Sequence, residues 1–167
     1  MDIRQILPTD FNPASRVWIY QSNRPFSEKE QAEIAEQLDQ FTAHWQAHGA
    51  PVKGWAKLLF EQVIVVIADE TDTHVSGCST DSSVRVIKSI ERQYSVNLFD
   101  RLSLGFVLKE KLQLLPMIQI PYALEKGYID ENTIYLNNTV LTLKELEENW
   151  LLPLKNSWLA KKFAIAQ

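Results

Sequence analysis

The feature that most constrains the fold is an uninterrupted apolar run of six residues, Val63 to Ala68. A strand with one face in water alternates apolar and polar residues, whereas a strand covered on both faces is apolar throughout. The run therefore predicts a central, doubly covered strand. It is about a third of the roughly 20 residues that a membrane-spanning helix needs, so no membrane partner is expected.

The segments around this run predict an α+β fold. Ser27 and Glu30 form a capping box, in which a hydroxyl and a carboxylate each bond a free backbone N–H, so a helix begins there. Its apolar residues recur every three or four positions, and His48 followed by Gly49 marks its end. The predicted elements, in chain order, are a strand at 16–20, this helix, strands at 52–60 and 62–68, a second helix after Asp81, and a strand at 102–108. The second helix is expected to have Val84, Ile87, Ile90 and Tyr94 on its inward side. This β-α-β-β-α-β order is typical of a ferredoxin-like core, here over about residues 16–109.

Residues 110–167 are expected to extend this core rather than to form a second domain. They follow it without a Gly/Ser-rich linker or a run of charges. Within them, Thr133–Leu136 and Thr139–Leu141 predict a hairpin with Asn137-Asn138 at its turn. The sequence therefore predicts a single domain over 1–167, with the C-terminal extension packed on the ferredoxin-like core.

Composition limits the classes of partner. The chain has 17 Lys and Arg against 21 Asp and Glu, a net charge of −4. This balance disfavours nucleic-acid binding, whose affinity comes largely from neutralised phosphates. One cysteine excludes an internal disulfide framework and a Cys-rich zinc cluster, and suits a reducing compartment. With Asp2 and Arg4 in place of an apolar leader segment, the N-terminus predicts a cytoplasmic protein.

The densest group of reactive side chains lies between the central strand and the second helix. It comprises Asp69, Glu70, Asp72, His74, Ser76, Cys78, Ser79, Asp81, Ser82 and Ser83. A loop that follows a central strand is a common ligand site, and the first turn of a helix offers free N–H groups to an anion. The partial positive charge at the start of that helix would favour the thiolate of Cys78. His74 could act as the base for Cys78 if the loop folds back.

Three functional hypotheses stay open. The first is a binding or interaction module that takes a small anionic or polar ligand in a pocket around His74–Ser83. The second is a small enzyme with Cys78 as nucleophile and His74 as base, and the third is a dimeric or structural protein. The expected ligand-binding residues are Ser76, Gly77, Ser79, Asp81 and Ser82, joined by Asn137 and Asn138.

A structural alternative stands beside these hypotheses. Ser79 and Asp81 are common helix N-cap residues, and a lone cysteine such as Cys78 is often a small buried hydrophobe. Asparagines are also common at hairpin turns. Asp69, Asp72 and His74 have no recognised metal-ligand spacing, so neither a metal nor another cofactor is implied.

One segment imitates a nucleotide-binding loop. Gly49-Ala-Pro-Val-Lys-Gly54 has two glycines at the right separation, but Trp55 stands where the phosphate-binding lysine must be, and Ala56 replaces the magnesium-binding hydroxyl. The glycines are better explained by a helix C-cap at Gly49 and a strand kink at Gly54. ATP hydrolysis by this loop is not expected.

Several longer segments together resemble one protein family. They are Arg16–Gln21, Ser76–Arg85, Asn137-Asn138, Trp150, Pro153 and Ser157-Trp158. The resemblance covers nearly the whole chain, and the family consists of small uncharacterised bacterial proteins often labelled "ABC transporter ATPase". The label implies nucleotide hydrolysis. This sequence departs from that chemistry because it lacks a Walker A lysine, although Asp69-Glu70 imitates the end of a Walker B strand, and no ATPase activity is expected.

Overall fold

The fold is that of an α+β protein, described by a computed structural model over residues 2–75 and 77–165, apart from the side chain of Cys78. The strands are β1 (Arg16–Gln21), β2 (Gln46–Ala47), β3 (Ala50–Pro51), β4 (Lys53–Leu59), β5 (Val63–Asp69), β6 (Ser103–Leu108), β7 (Lys111–Pro116), β8 (Ile134–Leu136) and β9 (Leu151–Pro153). The α-helices are α1 (Glu28–His44), α2 (Gly77–Tyr94), α3 (Ile120–Glu125), α4 (Leu143–Asn149) and α5 (Leu159–Lys162). Short 3-10 helices lie at Ile3–Gln5, Met117–Gln119 and Leu154–Asn156.

The chain divides into two compact units. The first comprises Met1–Phe99 with Leu141–Glu147, and the second comprises Asp100–Val140 with Glu148–Gln167. The division places the strand predicted at 102–108 in the second unit, whereas the sequence assigned it to the first core. The assignment of the whole chain to one domain stays a prediction.

The apolar run forms the central strand of the first unit, as predicted. β5 lies between β1 and β4 in an antiparallel sheet, and all seven of its residues are buried. Alternate residues of a strand point to opposite faces, and the side chains of Ile64, Val66 and Ala68 belong to the core cluster that includes Ile34 of α1 and Ile87 of α2. A continuously apolar strand is stable here because both faces exclude water.

Helix α1 begins where the capping box predicts and ends earlier than expected. The Ser27 hydroxyl accepts a hydrogen bond from the Glu30 N–H at 3.2 Å, and the Glu30 carboxylate accepts one from the Ser27 N–H at 2.8 Å. The helix ends at His44 rather than at His48. Strands β2 and β3 form a small hairpin, with His48 at φ 52° and Gly49 at φ 79°. Gly49 is therefore a turn residue and not a helix C-cap.

Helix α2 begins at Gly77, before the predicted start after Asp81. Its inward stripe comprises Ser79, Ser83, Ile87, Ile90 and Tyr94, and Val84 is only half-buried. The two buried serines extend the stripe toward the N-terminus of the helix. The Ser79 hydroxyl donates a hydrogen bond to the Gln46 carbonyl at 2.8 Å, and the Ser83 hydroxyl donates one to the Thr80 carbonyl at 2.7 Å. Buried serines can occupy a helix core face when they are hydrogen-bonded.

The complete ferredoxin-like sheet is not confirmed. Three predicted strands and both helices occur in the first unit, but β6 pairs with β7 and β8 in a different sheet. In place of β6, the segment at the start of α4 lies beside β1. The Val17 N–H donates to the Leu141 carbonyl at 3.0 Å, and the Leu143 N–H donates to the Ser15 carbonyl at 2.9 Å.

The second unit has an antiparallel sheet in the order β7-β6-β8-β9. Its core includes Phe106, Tyr135 and Leu154. The hairpin predicted around Asn137-Asn138 is wrong, because β8 pairs with β6 and β9 and Thr139–Leu141 is not a strand. Across the described residues, no helix combines the length and the apolar content that crossing a membrane requires.

Candidate functional site

The acidic loop after β5 is held by its own carboxylates. Asp69 Oδ1 accepts hydrogen bonds from the Thr71 hydroxyl at 2.6 Å and the Thr71 N–H at 2.9 Å, and Oδ2 accepts one from the Asn12 N–H at 2.9 Å. These bonds, the Thr71 hydroxyl first, lower the pKa of Asp69, and Lys53 at 3.9 Å adds to the effect. Asp69 therefore ties two loops together as a buried carboxylate.

The other acidic residues of the loop do not converge on a common point. Glu70 pairs with Arg16 at 3.3 Å and accepts the Val75 N–H at 3.1 Å. Asp72 and His74 are exposed. Within the described part of the chain, no three side chains of His, Cys, Asp or Glu are grouped as ligands of one metal ion.

The residues predicted to form the pocket at the start of α2 have different environments. Gly77 is the first residue of the helix, so Ser79 and Asp81 lie inside it and are not N-caps. Ser79 is buried, Asp81 is exposed and Ser82 is half-buried. Ser76 and the Cys78 side chain lie outside the described residues. The pairing of Cys78 with His74, and the ligand role of Ser76, stay predictions.

The two asparagines that were predicted to join a pocket lie in the second unit. Asn138 Oδ1 accepts a hydrogen bond from the buried Trp150 indole at 2.9 Å. Asn137 donates from its amide to the Asn149 carbonyl at 3.2 Å and accepts from the Thr139 hydroxyl at 2.6 Å. Both side chains therefore serve the turn before α4, which explains their presence without a ligand.

A cleft between α1 and α2 was not predicted from the sequence. It has a volume of about 570 Å³ and combines aromatic, cationic and hydroxyl side chains. Its lining residues are Phe41, His44, Trp45, Gln46, Ser82, Arg85, Val86, Ser89 and Arg92. Of the residues singled out in the sequence as ligand-binding, it contains Ser82.

The aromatic side of the cleft is rigidly positioned. Trp45 is almost fully buried, and its indole donates to the Ser79 carbonyl at 3.1 Å. The ring of Phe41 lies 4.8 Å from it, centroid to centroid. Gly54 of β4 allows this packing, since a Cβ there would lie 2.7 Å from Cε3 of Trp45. The glycine of the look-alike loop thus makes room for an indole.

The cationic side of the cleft comes from α2. Ser82, Arg85, Ser89 and Arg92 recur at intervals of three, four and three residues, which places them along one side of the helix. Among the residues that the structure describes, neither guanidinium pairs with a carboxylate. Guanidinium groups bind carboxylate and phosphate oxygens through paired N–H donors. The arrangement therefore suits an anion next to an apolar or aromatic group.

His44 completes the rim at the end of α1. Its Nδ1 lies 2.9 Å from the Gln40 carbonyl, so this nitrogen carries the proton and donates. In the neutral ring, the Nε2 atom is then an acceptor. His44 can thus accept a hydrogen bond from a hydroxyl of a ligand, beside the guanidinium donors.

Fold and site together define an α+β protein of two compact units whose first unit carries a cationic cleft with an aromatic wall. Comparisons with protein-family models, with curated proteins and with solved structures gave no match. Membership of the family that the sequence resembles therefore stays a prediction.

Proposed function

We propose that the protein is a binding module for a small anionic ligand that carries an aromatic or other flat apolar group. The observation that supports this is the cleft between α1 and α2, where Arg85 and Arg92 face the same space as the half-buried Phe41, whose ring packs on the buried Trp45. The proposal keeps the ligand class expected from the sequence and moves the site from the start of α2 to the middle of the helix.

A solvated helix surface is the simplest competing explanation for the two arginines. On such a surface, acidic side chains three or four residues from a cation add a small stabilisation to the helix. On α2, the residues four positions before and after Arg85 are Asp81 and Ser89, and no ion pair between Arg85 and Asp81 is present. The concave surface beside a fixed indole favours a ligand over a purely solubilising role.

Phenyl phosphate is a suitable probe, because it joins a flat ring to a dianion. We expect calorimetric titration to show tighter binding of phenyl phosphate than of inorganic phosphate or phenol, since only the first engages both sides of the cleft. Hydrogen bonds to charged groups contribute about 1.5–3 kcal/mol. Arg85→Gln and Arg92→Gln should therefore each weaken phenyl phosphate binding by about tenfold or more.

Lys88→Gln is the matched control, because Lys88 is an exposed cation of the same helix that does not line the cleft. It removes one positive charge and should leave the affinity within about twofold, on the order of 0.4 kcal/mol. An equal loss in Lys88→Gln, or equal affinities for phenyl phosphate and inorganic phosphate in the unmodified protein, would contradict a site at this cleft.

A further inference from the structure

The second unit has an apolar cleft that none of the interpretations above uses. Its volume is about 560 Å³ and its lining consists of six apolar residues and one lysine. The lining residues are Leu102, Pro116, Met117, Ile118, Pro121, Lys162 and Phe163. Two of them are large hydrophobic side chains left in water, with Leu102 73% exposed and Ile118 88% exposed. Neighbouring exposed apolar side chains of this size commonly mark a binding surface.

Backbone hydrogen bonds hold both walls of this cleft. On one side, Ser103 is in register with Pro116, and the Met117 N–H donates to the Leu102 carbonyl at 2.9 Å. On the other side, the Phe163 N–H donates to the Leu159 carbonyl at 3.0 Å at the end of α5. The Phe163 side chain packs on the core of the second unit. The cleft is therefore built from ordered chain on both sides.

The single charge of the cleft lies at its Phe163 wall. The ammonium of Lys162 is 6.0 Å from the centre of the Phe163 ring, at the distance of a cation–π contact. Long lysine side chains lay their methylenes on apolar surface and keep the ammonium at its edge. The cleft therefore suits a ligand that is apolar over most of its length and carries one negative charge at one end.

We propose that this cleft binds a free long-chain carboxylate, with its alkyl chain along the walls from Leu102 to Ile118 and its carboxylate at Lys162. A mainly apolar cleft with one placed polar group, of roughly 300–1,000 Å³, is the usual form of a small-molecule site. The charge of Lys162 selects the carboxylate, and the apolar lining selects the alkyl chain. The proposal concerns the second unit and does not depend on the proposed function of the first.

Larger occupants fit the cleft less well. A stable protein interface uses about 20–30 residues on each side, so a cleft lined by seven residues has by itself the size of a small-molecule site. Docking of a protein surface on anionic lipid usually takes a cluster of about four to eight basic residues. One lysine beside an apolar cleft matches one carboxylate on one alkyl chain.

Calorimetric titration of the full chain tests the proposal, with dodecanoate and dodecyltrimethylammonium below their micellar concentrations and dodecanol below its solubility limit. We expect one dodecanoate per chain, bound about two- to fivefold more tightly than either of the other two, because only dodecanoate pairs with the exposed Lys162. Octanoate, decanoate and dodecanoate should bind with increasing affinity, by up to about fourfold per methylene. Absence of dodecanoate binding, or equal affinity for dodecanol, would overturn the proposal.

Neighbouring lysines provide a matched pair of variants. Lys162→Glu should weaken dodecanoate binding by about tenfold or more and favour dodecyltrimethylammonium, since the charge at the cleft is reversed. Lys161→Glu makes the same change one residue earlier, where the side chain lines a different cleft with Lys155 and Trp158. It should retain dodecanoate binding. Equal losses in the two variants would show a general charge effect and would contradict the assignment.

A second pair of variants tests the apolar wall. Ile118→Ser should weaken dodecanoate and dodecanol binding alike, because Ile118 is proposed to contact the chain and not the carboxylate. The control is Leu141→Ser in the first unit, an exposed leucine outside the cleft. Both side chains are largely exposed, so both variants should fold, and circular dichroism melting checks this. Unchanged affinity in Ile118→Ser would place the ligand elsewhere and overturn the proposal.

Discussion

At the scale of single residues, a polar network fastens the start of α1 to the end of α2. Arg24 donates to both carboxylate oxygens of Glu30, at 2.9 and 3.0 Å, and to the Tyr94 carbonyl at 2.7 Å. The Tyr94 hydroxyl donates to Glu33 at 2.7 Å. Burial, followed by the bond to Glu33, raises the pKa of Tyr94 to about 12. The capping carboxylate of α1 thus has a tertiary role besides its local one.

The same network makes part of the stability depend on pH. Hydrogen bonds from Arg24 first, then from the Ser27 N–H, lower the pKa of Glu30 to about 2, below the roughly 4.3 of an unfolded glutamate. The contribution of Glu30 is therefore fully present above the unfolded pKa and is lost as the pH falls toward 2. In urea unfolding, Glu30→Gln should be less stable than the unmodified protein at pH 7, and the difference should shrink at pH 4 and again at pH 3.

Glu36→Gln is the control for this prediction, since Glu36 lies on the same helix outside the network and contacts Gln40. Its difference from the unmodified protein should stay nearly constant over the same pH range. A Glu30→Gln difference that is equally constant would show that the Arg24 bonds do not stabilise the folded state.

At the scale of elements, local signals predicted more than long-range ones. The start of α1 was predictable because Ser27 and Glu30 bond each other's backbone within one turn. The start of α2 was missed because Ser79 and Ser83 interrupt the apolar stripe, and the acceptor of the Ser79 hydroxyl, the Gln46 carbonyl, is distant in sequence. The pairing of β6 with β8 was missed because β8 lies far along the chain. The local hairpin of β6 with β7 was missed because Lys109-Glu110 is not a favoured turn sequence.

The cleft between α1 and α2 could not be predicted from local sequence signals either. Its arginines and serines follow a visible helical repeat, but the sequence-based prediction for this helix singled out its inward residues, Val84, Ile87, Ile90 and Tyr94. What makes the repeat a candidate site is its position beside Phe41 and Trp45, which come from the end of α1. That proximity exists only in the folded chain. The repeat of Ser82, Arg85, Ser89 and Arg92 was the available signal.

The hairpin between β6 and β7 contains residues that its turn does not favour. Leu108 is paired with Lys111, so Lys109 and Glu110 form a two-residue turn, with φ of 51° and 64°. Turns with two left-handed residues favour Asn-Gly, because other side chains are strained there. Replacing Lys109-Glu110 by Asn-Gly should raise the free energy of unfolding by about 1 kcal/mol, as measured by urea denaturation.

The control for the turn is Lys126→Asn, at an exposed position with φ of −82°. Asparagine relieves no left-handed strain there, so no gain in stability is expected. If the Asn-Gly variant is no more stable than the unmodified protein, the two residues are not under strain in this turn.

At the scale of the whole molecule, each of the two units contains a cluster of buried residues of its own. One cluster contains Ile34 and Leu38 of α1 together with β5, and another contains Phe106, Tyr135 and Leu154. Each is organised around its own antiparallel sheet. Regions with separate cores commonly open as separate cooperative units in hydrogen exchange. The two units are therefore expected to differ in how they respond to a local loss of packing.

Truncation of one buried aliphatic residue in each core tests this expectation. Ile34→Ala and Leu154→Ala each remove a fully buried side chain and should cost about 2–5 kcal/mol. In native-state hydrogen exchange of the full chain, Ile34→Ala should speed exchange of the β5 amides and leave those of β6 and β8 nearly unchanged. Leu154→Ala should do the reverse, so that each variant serves as the control for the other. Equal acceleration in both sheets would instead show one cooperative unit, as the sequence-based assignment of a single domain requires.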